Sequence, residues 1–187
     1  MKKLISVLLI AASLLCIASC TKKDDNTAPV EGETNYVKLE MENGDSMIIE
    51  LYPDEAPITV RNFKKLVSRH YYDGTVFHRV IEGFMIQGGA GAATDSIKGE
   101  FSANGVKNGI KHDRGVLSMA RAMDPNSAGS QFFIMVEKAP HLDGSYAAFG
   151  RIIEGMEAAD TIVNQKRNMM DKPNVPQVMK TVKIVEE

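Results

Sequence analysis

The run pattern of this 187-residue chain predicts a mainly β fold, a closed eight-stranded antiparallel β-barrel capped by two α-helices. Three observations carry that prediction. Eight short apolar runs, each bounded by Gly, Pro, Asp or Asn, have the length of strands. Two further stretches place their apolar residues at helical spacing. Beyond Tyr36 no internal repeat and no composition break divides the chain, so the strands share one core, and closing them into a barrel leaves no exposed sheet edge.

The first segment lies outside that fold. Lys2 and Lys3 precede an apolar run from Leu4 to Ala18 interrupted only by Ser6 and Ser13. A basic start followed by a short apolar stretch has the form of a secretory signal, and the run is shorter than the roughly 20 residues a membrane-spanning helix needs. It ends Leu15-Cys16-Ile17-Ala18-Ser19-Cys20, which resembles a bacterial lipobox. That resemblance implies a signal peptide over residues 1–19 and lipidation of Cys20, with several acyl chains holding the protein on a membrane. Cys16 leaves with the signal and Cys20 carries lipid, so no disulfide is expected. Residues 20–35 then hold almost no large apolar side chains, which predicts a flexible tether. Thr21 after Cys20 resembles lipoproteins sorted to the outer membrane. Lys22-Lys23-Asp24-Asp25 resembles the short charged tags of surface-displayed ones.

The folded domain is expected over residues 36–187. Val37–Met41 and Met47–Leu51 alternate in polarity around Asn43-Gly44-Asp45, which reads as a hairpin. Pro57 suits the first turn of a helix, with Asp54 and Glu55 beside its N-terminus. Val60, Phe63, Val67 and His70 fall on one helical face, while Lys64, Lys65 and Arg69 point away. Tyr72-Asp73-Gly74 closes that element. Further strands are expected at Val76–Val80, Phe84–Gln87, Val116–Arg121, Phe132–Val136 and Ala148–Ile152. A second helix over Met156–Val163 turns Met156, Ala159, Ile162 and Val163 inward. A polar loop with Pro173 and Pro176 leads to a last strand over Thr181–Val185.

Composition narrows the function. With 44% hydrophobic and 25% charged residues the chain is globular rather than disordered. Lys and Arg number 22 against 24 Asp and Glu, with no basic block, so no nucleic-acid partner is expected. His70, His78, His112 and His141 are scattered without ligand spacing, which predicts no metal. Ser118 and Ser130 lack the nucleophile-elbow context of a serine hydrolase. Gly89-Ala90-Gly91-Ala92-Ala93 is glycine-rich, but no amphipathic helix follows it, so it reads as a small-residue loop rather than a dinucleotide site.

The informative stretch is Tyr72-Asp73-Gly74-Thr75-Val76-Phe77-His78-Arg79-Val80-Ile81-Glu82-Gly83-Phe84-Met85-Ile86-Gln87-Gly88-Gly89. It resembles the signature of cyclophilins, the peptidyl-prolyl cis-trans isomerases. Three more blocks match in the same order: Gly115–Ala120, then Gly129–Ile134, then His141-Leu142-Asp143-Gly144 with Ala148-Phe149-Gly150. The resemblance runs from Tyr36 to the C-terminus and implies a cyclophilin-like barrel that isomerises X–Pro bonds without a cofactor. Its expected partners are proline-containing polypeptides in the cell envelope, and the protein is expected to be a monomer.

Rotation about an X–Pro bond breaks amide resonance across a barrier of about 18–20 kcal/mol, and moves no proton. The catalyst therefore needs a dry pocket for the ring and a donor that favours the twisted amide. On a strand, Phe77, Arg79, Met85 and Gln87 would share one cavity by alternation. The resemblance implies that Arg79, Phe84, Met85 and Gln87 are catalytic, with Arg79 as the donor. It also implies that Ala122, Gln131, Phe133, His141, Leu142 and Tyr146 bind substrate. By type alone, Phe84, Met85, Phe133 and Leu142 read as barrel core rather than as a pocket. The chain departs from many eukaryotic relatives in having His141 for Trp and Tyr146 for His, as in the bacterial branch, and Arg121 where Asn is usual. Two functions fit these residues: an isomerase that assists exported proteins, or a non-catalytic proline-directed binding module or holdase. Arg79 favours the first, because a pure binder has no need of a donor for a twisted amide.

Overall fold

The computed structural model describes residues 34–186. The expected signal, Cys20 and nearly all of the expected tether lie outside them. Eight strands form one closed antiparallel barrel in the order β1-β2-β7-β5-β6-β4-β3-β8. They are β1 (Tyr36–Met41), β2 (Ser46–Leu51), β3 (Val76–Ile81), β4 (Met85–Gly88), β5 (Val116–Met119), β6 (Phe132–Met135), β7 (Ala148–Glu154) and β8 (Gln177–Val185). Helices α1 (Pro57–Ser68) and α2 (Met156–Val163) pack on this barrel.

The hairpin forms as its pattern requires. Val37, Leu39 and Met41 of β1 and Met47, Ile49 and Leu51 of β2 face the core, with Lys38, Glu40, Ile48 and Glu50 between them outward. Gly44 takes φ +93° in the turn, a left-handed conformation that disfavours a side chain. The chain is held by the barrel one residue before β1. Leu51 N–H donates to the Asn35 carbonyl at 2.8 Å, and the Asn35 side chain accepts from Lys64 Nζ at 3.0 Å.

That contact corrects one expectation. Lys64 is buried on α1 rather than pointing away, since its ammonium has a partner on the barrel side. His70 also differs from its predicted place. The helix ends at Ser68, and His70 lies beyond it at φ +55°, exposed, with Nδ1 3.0 Å from Asp73 Oδ2. Helical periodicity in sequence continues past the point where the chain must turn back to the barrel. Val60, Phe63, Leu66 and Val67 form the apolar part of the buried face of α1.

The start of α1 shows a second difference. Neither Asp54 nor Glu55 caps it, and the N-cap residue Ala56 has no side-chain acceptor. Glu100 does this from 42 residues away in sequence. Its carboxylate accepts from Ile58 N–H at 3.0 Å, Thr59 N–H at 2.7 Å and Thr59 Oγ1 at 2.7 Å. Glu55 instead accepts from Gly109 N–H at 2.9 Å. A buried carboxylate at the positive end of a helix is stabilised by the same N–H groups that it satisfies.

Strand limits shift where tertiary pairing overrides local pattern. β5 stops at Met119 rather than Arg121, and β8 begins at Gln177 because Val76 and Phe77 pair with Val178 and Gln177. The main core gathers around Phe63, whose ring lies 5.1 Å from Tyr72, 5.5 Å from Phe132 and 5.2 Å from Phe149. Ala158, Ala159, Ile162 and Val163 of α2 join that core. Gly155 permits their approach, since a Cβ there would collide with the Ser46 carbonyl oxygen.

Replacing Glu100 by Ala leaves the Ile58 and Thr59 donors without their acceptor inside the protein. The expected loss is about 2–3 kcal/mol, from the range for charge-assisted hydrogen bonds and lost helix caps. Urea unfolding of the whole chain would read this as a lower midpoint at unchanged slope. A loss under about 0.5 kcal/mol, within surface-substitution range, would mean Glu100 does not cap α1.

Candidate active site

The residues singled out above sit on the outer face of the barrel wall, not in its interior. β4 and β6 are buried on both faces. Ile86, Phe132 and Ile134 point into the barrel, while Met85, Phe133 and Met135 point outward into a second, smaller apolar cluster. Leu142 and Ala139 join this outer cluster, with Phe84, Ala120 and Tyr146 packed against it. Phe84, Met85, Phe133 and Leu142 are therefore not part of the barrel's inner core.

Arg79 reaches this face through a bulge. Phe77 pairs with Gly88, yet Arg79 pairs with Gln87, so two steps along β3 match one along β4. Phe77 and Val80 both enter the inner core, and Arg79 emerges between them beside Met85 and Gln87. Strict alternation had put Phe77 and Arg79 on one face; the bulge separates them.

Between these side chains lies a cavity of about 190 Å³. Arg79, Gln87 and Tyr146 line it together with the apolar Phe84, Met85, Phe133 and Leu142. Gln87 Nε2 donates to Gln131 Oε1 at 3.0 Å, and Gln131 and Ala122 line the adjoining groove instead of this pocket. His141 is exposed and stacks on Phe84 with ring centroids 5.7 Å apart, so it backs the pocket wall without lining the cavity. Cys20 lies outside the described residues. Among those residues, no cluster of His, Cys, Asp and Glu is arranged to hold a metal.

The supporting roles of three groups were not legible in local pattern, because their main partners lie far along the chain. Asp171 Oδ2 lies 3.7 Å from Arg79 Nε, and its other oxygen is 4.0 Å from Arg167 Nε. Asp171 is held at φ +60°, with its carbonyl accepting from Val80 N–H at 2.8 Å. Arg121 is the second. Its Nη2 donates to the Ser145 carbonyl at 2.9 Å and its Nη1 to the Ala122 carbonyl at 2.9 Å. Its guanidinium lies 4.7 Å from the Tyr146 ring centroid and 5.2 Å from that of Phe101.

The third is His112, buried behind Phe133 with near-parallel rings 6.1 Å apart. Its Nδ1 is 3.0 Å from Asp143 Oδ1 and its Nε2 is 3.1 Å from Ser118 Oγ. A serine, a histidine and an aspartate in line resemble a hydrolytic triad, but Ser118 is 0% exposed and His112 1%. No substrate reaches them. The chain instead ties the Leu142–Asp143 turn to β5 behind the pocket.

Burial pushes the His112 imidazole below its ordinary value of 6.5, against the opposing pull of Asp143. Burial would raise Asp143, but the His112 backbone and ring N–H groups and the Lys111 ammonium outweigh it and hold that carboxyl low. The unfolded imidazole takes up a proton near 6.5, and the folded one only at lower pH. The stability from neutral His112 is thus complete above 6.5 and lost as pH falls through the lower folded value. Thermal melts from about pH 7 to about pH 5 should show a falling midpoint, and His112→Gln should flatten that fall. A residual slope is expected from His78, whose imidazole is also lowered by burial. Identical slopes in both proteins would remove His112 as a contributor.

Comparison with known proteins accords with this geometry. Residues 36–184 match the family model described as cyclophilin type peptidyl-prolyl cis-trans isomerase/CLD. Peptidyl-prolyl cis-trans isomerase-like 1 of Gibberella zeae is 42% identical over 159 residues, covering 82% of this chain and 97% of that protein. Peptidyl-prolyl cis-trans isomerase B of Bacillus subtilis is 43% identical over 134 residues, 71% of this chain and 92% of its own. Among solved structures, a Cryptosporidium parvum cyclophilin crystallised in the presence of the dipeptide Ala-Pro superposes with a TM-score of 0.73. It has 33% identity and covers 81% of this chain and 99% of its own. With the barrel matched in three dimensions and the sequence matched along nearly all the described residues, the chain belongs to the cyclophilin-type peptidyl-prolyl cis-trans isomerase family.

Proposed function

We propose that the protein isomerises X–Pro bonds in polypeptides exported to the cell envelope, working as a monomer from a lipid anchor at Cys20. The observation that carries the catalytic part is the Arg79 guanidinium lining a cavity of about 190 Å³ together with the apolar Phe84, Met85, Phe133 and Leu142. The target proline ring enters between the apolar Phe84, Met85, Phe133 and Leu142 and displaces water from them as it binds. Arg79 donates to the prolyl carbonyl and approaches the prolyl nitrogen, whose lone pair localises as the amide twists. This interaction is stronger in the twisted state than in either planar one, which is what lowers a barrier. Asp171 beside Nε limits the motion of Arg79 and leaves its terminal nitrogens for substrate. Gln87 and Gln131 orient the peptide backbone, with Ala122, His141 and Tyr146 around them.

Support for the envelope role comes from the sequence before Thr34: the lipobox-like Leu15–Cys20, Thr21 at the sorting position, and the Lys22–Asp25 charges. Thr21 supports attachment to the outer membrane, with the domain on the periplasmic side or, where the Lys22–Asp25 charges act as a surface tag rather than merely solubilising the tether, on the cell surface.

Two outcomes test these readings. Arg79→Ala should lower kcat/KM on a short X–Pro peptide by about 10²–10³, the loss seen when a transition-state donor is removed. Arg79 is partly exposed, so its circular dichroism and melting midpoint should stay near wild type. Full activity in a folded variant would refute the electrostatic role, and peptide binding without turnover in the wild type would identify a proline-directed binder instead. For location, Cys20→Ala should release the protein from membranes or leave its signal uncleaved. Protease treatment of intact cells should degrade a surface-displayed domain. Complete protection would restrict it to the inner side of the envelope.

A further inference from the structure

Next to the proline pocket runs a groove of about 480 Å³. Gln87, Ala120 and Arg121 line both cavities and form the ridge between them. The groove is otherwise walled by small or uncharged side chains such as Ala90, Ala93, Thr94 and Ser127, and Arg121 is the one charged side chain in its lining. Asp95 and Asp124 are near in sequence but do not line it, and Asp124 turns an oxygen to Asn126 N–H at 2.8 Å.

Arg121 is held in place before any substrate arrives. Backbone carbonyls of Ser145 and Ala122 accept from it, and Tyr146 and Phe101 flank its guanidinium. Those partners fix its position without neutralising it. Arg79 has Asp171 and Arg114 has Asp160, whereas no carboxylate among the described residues forms an ion pair with Arg121. The two adjoining cavities therefore carry a fixed, uncompensated positive charge at their shared edge.

We infer that Arg121 makes this isomerase favour prolines preceded, within two residues, by an acidic side chain. The inference rests on the catalytic reading above, which sets the direction of the peptide. Arg79 engages the carbonyl on the carboxyl side of the ring, and Arg79 lines the pocket but not the groove. The residues before the proline therefore leave over Gln87 and Arg121 into the groove. A carboxylate there meets a guanidinium already oriented, so little side-chain entropy is lost on pairing. A lysine there meets like charge at the same edge, and a neutral side chain gains nothing from it.

The test uses the whole chain and short peptides with one X–Pro bond, differing only by Glu, Gln or Lys at either of the two positions before the proline. At low salt, kcat/KM for the best Glu peptide should exceed its Gln counterpart about two- to five-fold, the range of a partly exposed ion pair. Lys should fall below Gln, and the differences should shrink toward one near 1 M salt. In Arg121→Gln the Glu-to-Gln ratio should collapse to about one, whatever the variant's own turnover, while Arg121→Lys should retain part of it. Equal Glu and Gln values in the wild type, or an undiminished ratio in Arg121→Gln, would overturn the proposal. Calorimetric affinities for the same peptides carry the same comparison, so a lack of turnover would defeat the catalytic reading separately from this one.

Discussion

A one-residue bulge in β3 decides on which side of the barrel wall the chemistry lies. Between Phe77 and Arg79 the strand gains a residue relative to β4, and the inward-outward alternation slips by one. Without that slip, Arg79 would follow Phe77 toward a core already filled by Phe63, Tyr72 and Phe132. With it, Phe77 and Val80 seal the interior and the guanidinium stands outside, level with Gln87 and next to Met85.

The outer face then needs its own apolar lining, which explains why β4 and β6 are buried on both sides. A barrel wall whose outer face met water would alternate polar residues there. Here Phe133 and Met135 are covered by segments that follow no repeating pattern, the stretch before β5 and the turn around Leu142. These irregular segments are held by buried polar groups. Glu100 caps α1, and His112 links Asp143 to Ser118 behind Phe133. Every one of these groups has partners at hydrogen-bond distance, as burial demands. Rigidity matters because a reaction that breaks no bond leaves the protein only placement and electrostatics to work with.

Charge at the site is likewise arranged by distance rather than by number. Two guanidinium groups line the outer pocket. Arg79 stands beside a carboxylate that steers it, and Arg121 is surrounded by carbonyls and aromatic rings that leave its charge intact. The first arrangement suits the proposed role of Arg79 toward a twisting amide, the second the proposed role of Arg121 as an attracting charge.

Much of this was readable from local pattern. Period-two alternation marked the strands, Gly44 between Asn43 and Asp45 marked the hairpin, and the spacing of Val60, Phe63 and Val67 marked α1, because each signal acts over a few residues. The motif around Arg79 and Gln87 identified the family for the same reason. Local pattern did not show that His70 leaves the helix, that Lys64 is buried, or that Phe77 and Arg79 part company. Those outcomes depend on what the neighbouring strand or the barrel offers. The capping of α1 by Glu100, the approach of Asp171 to Arg79 and the burial of His112 pair residues dozens of positions apart. One chain segment carries no trace of the partner that another will present to it. Such contacts exist only after the barrel closes, when burial forces each polar group to find a partner and so fixes where the outer pocket stands.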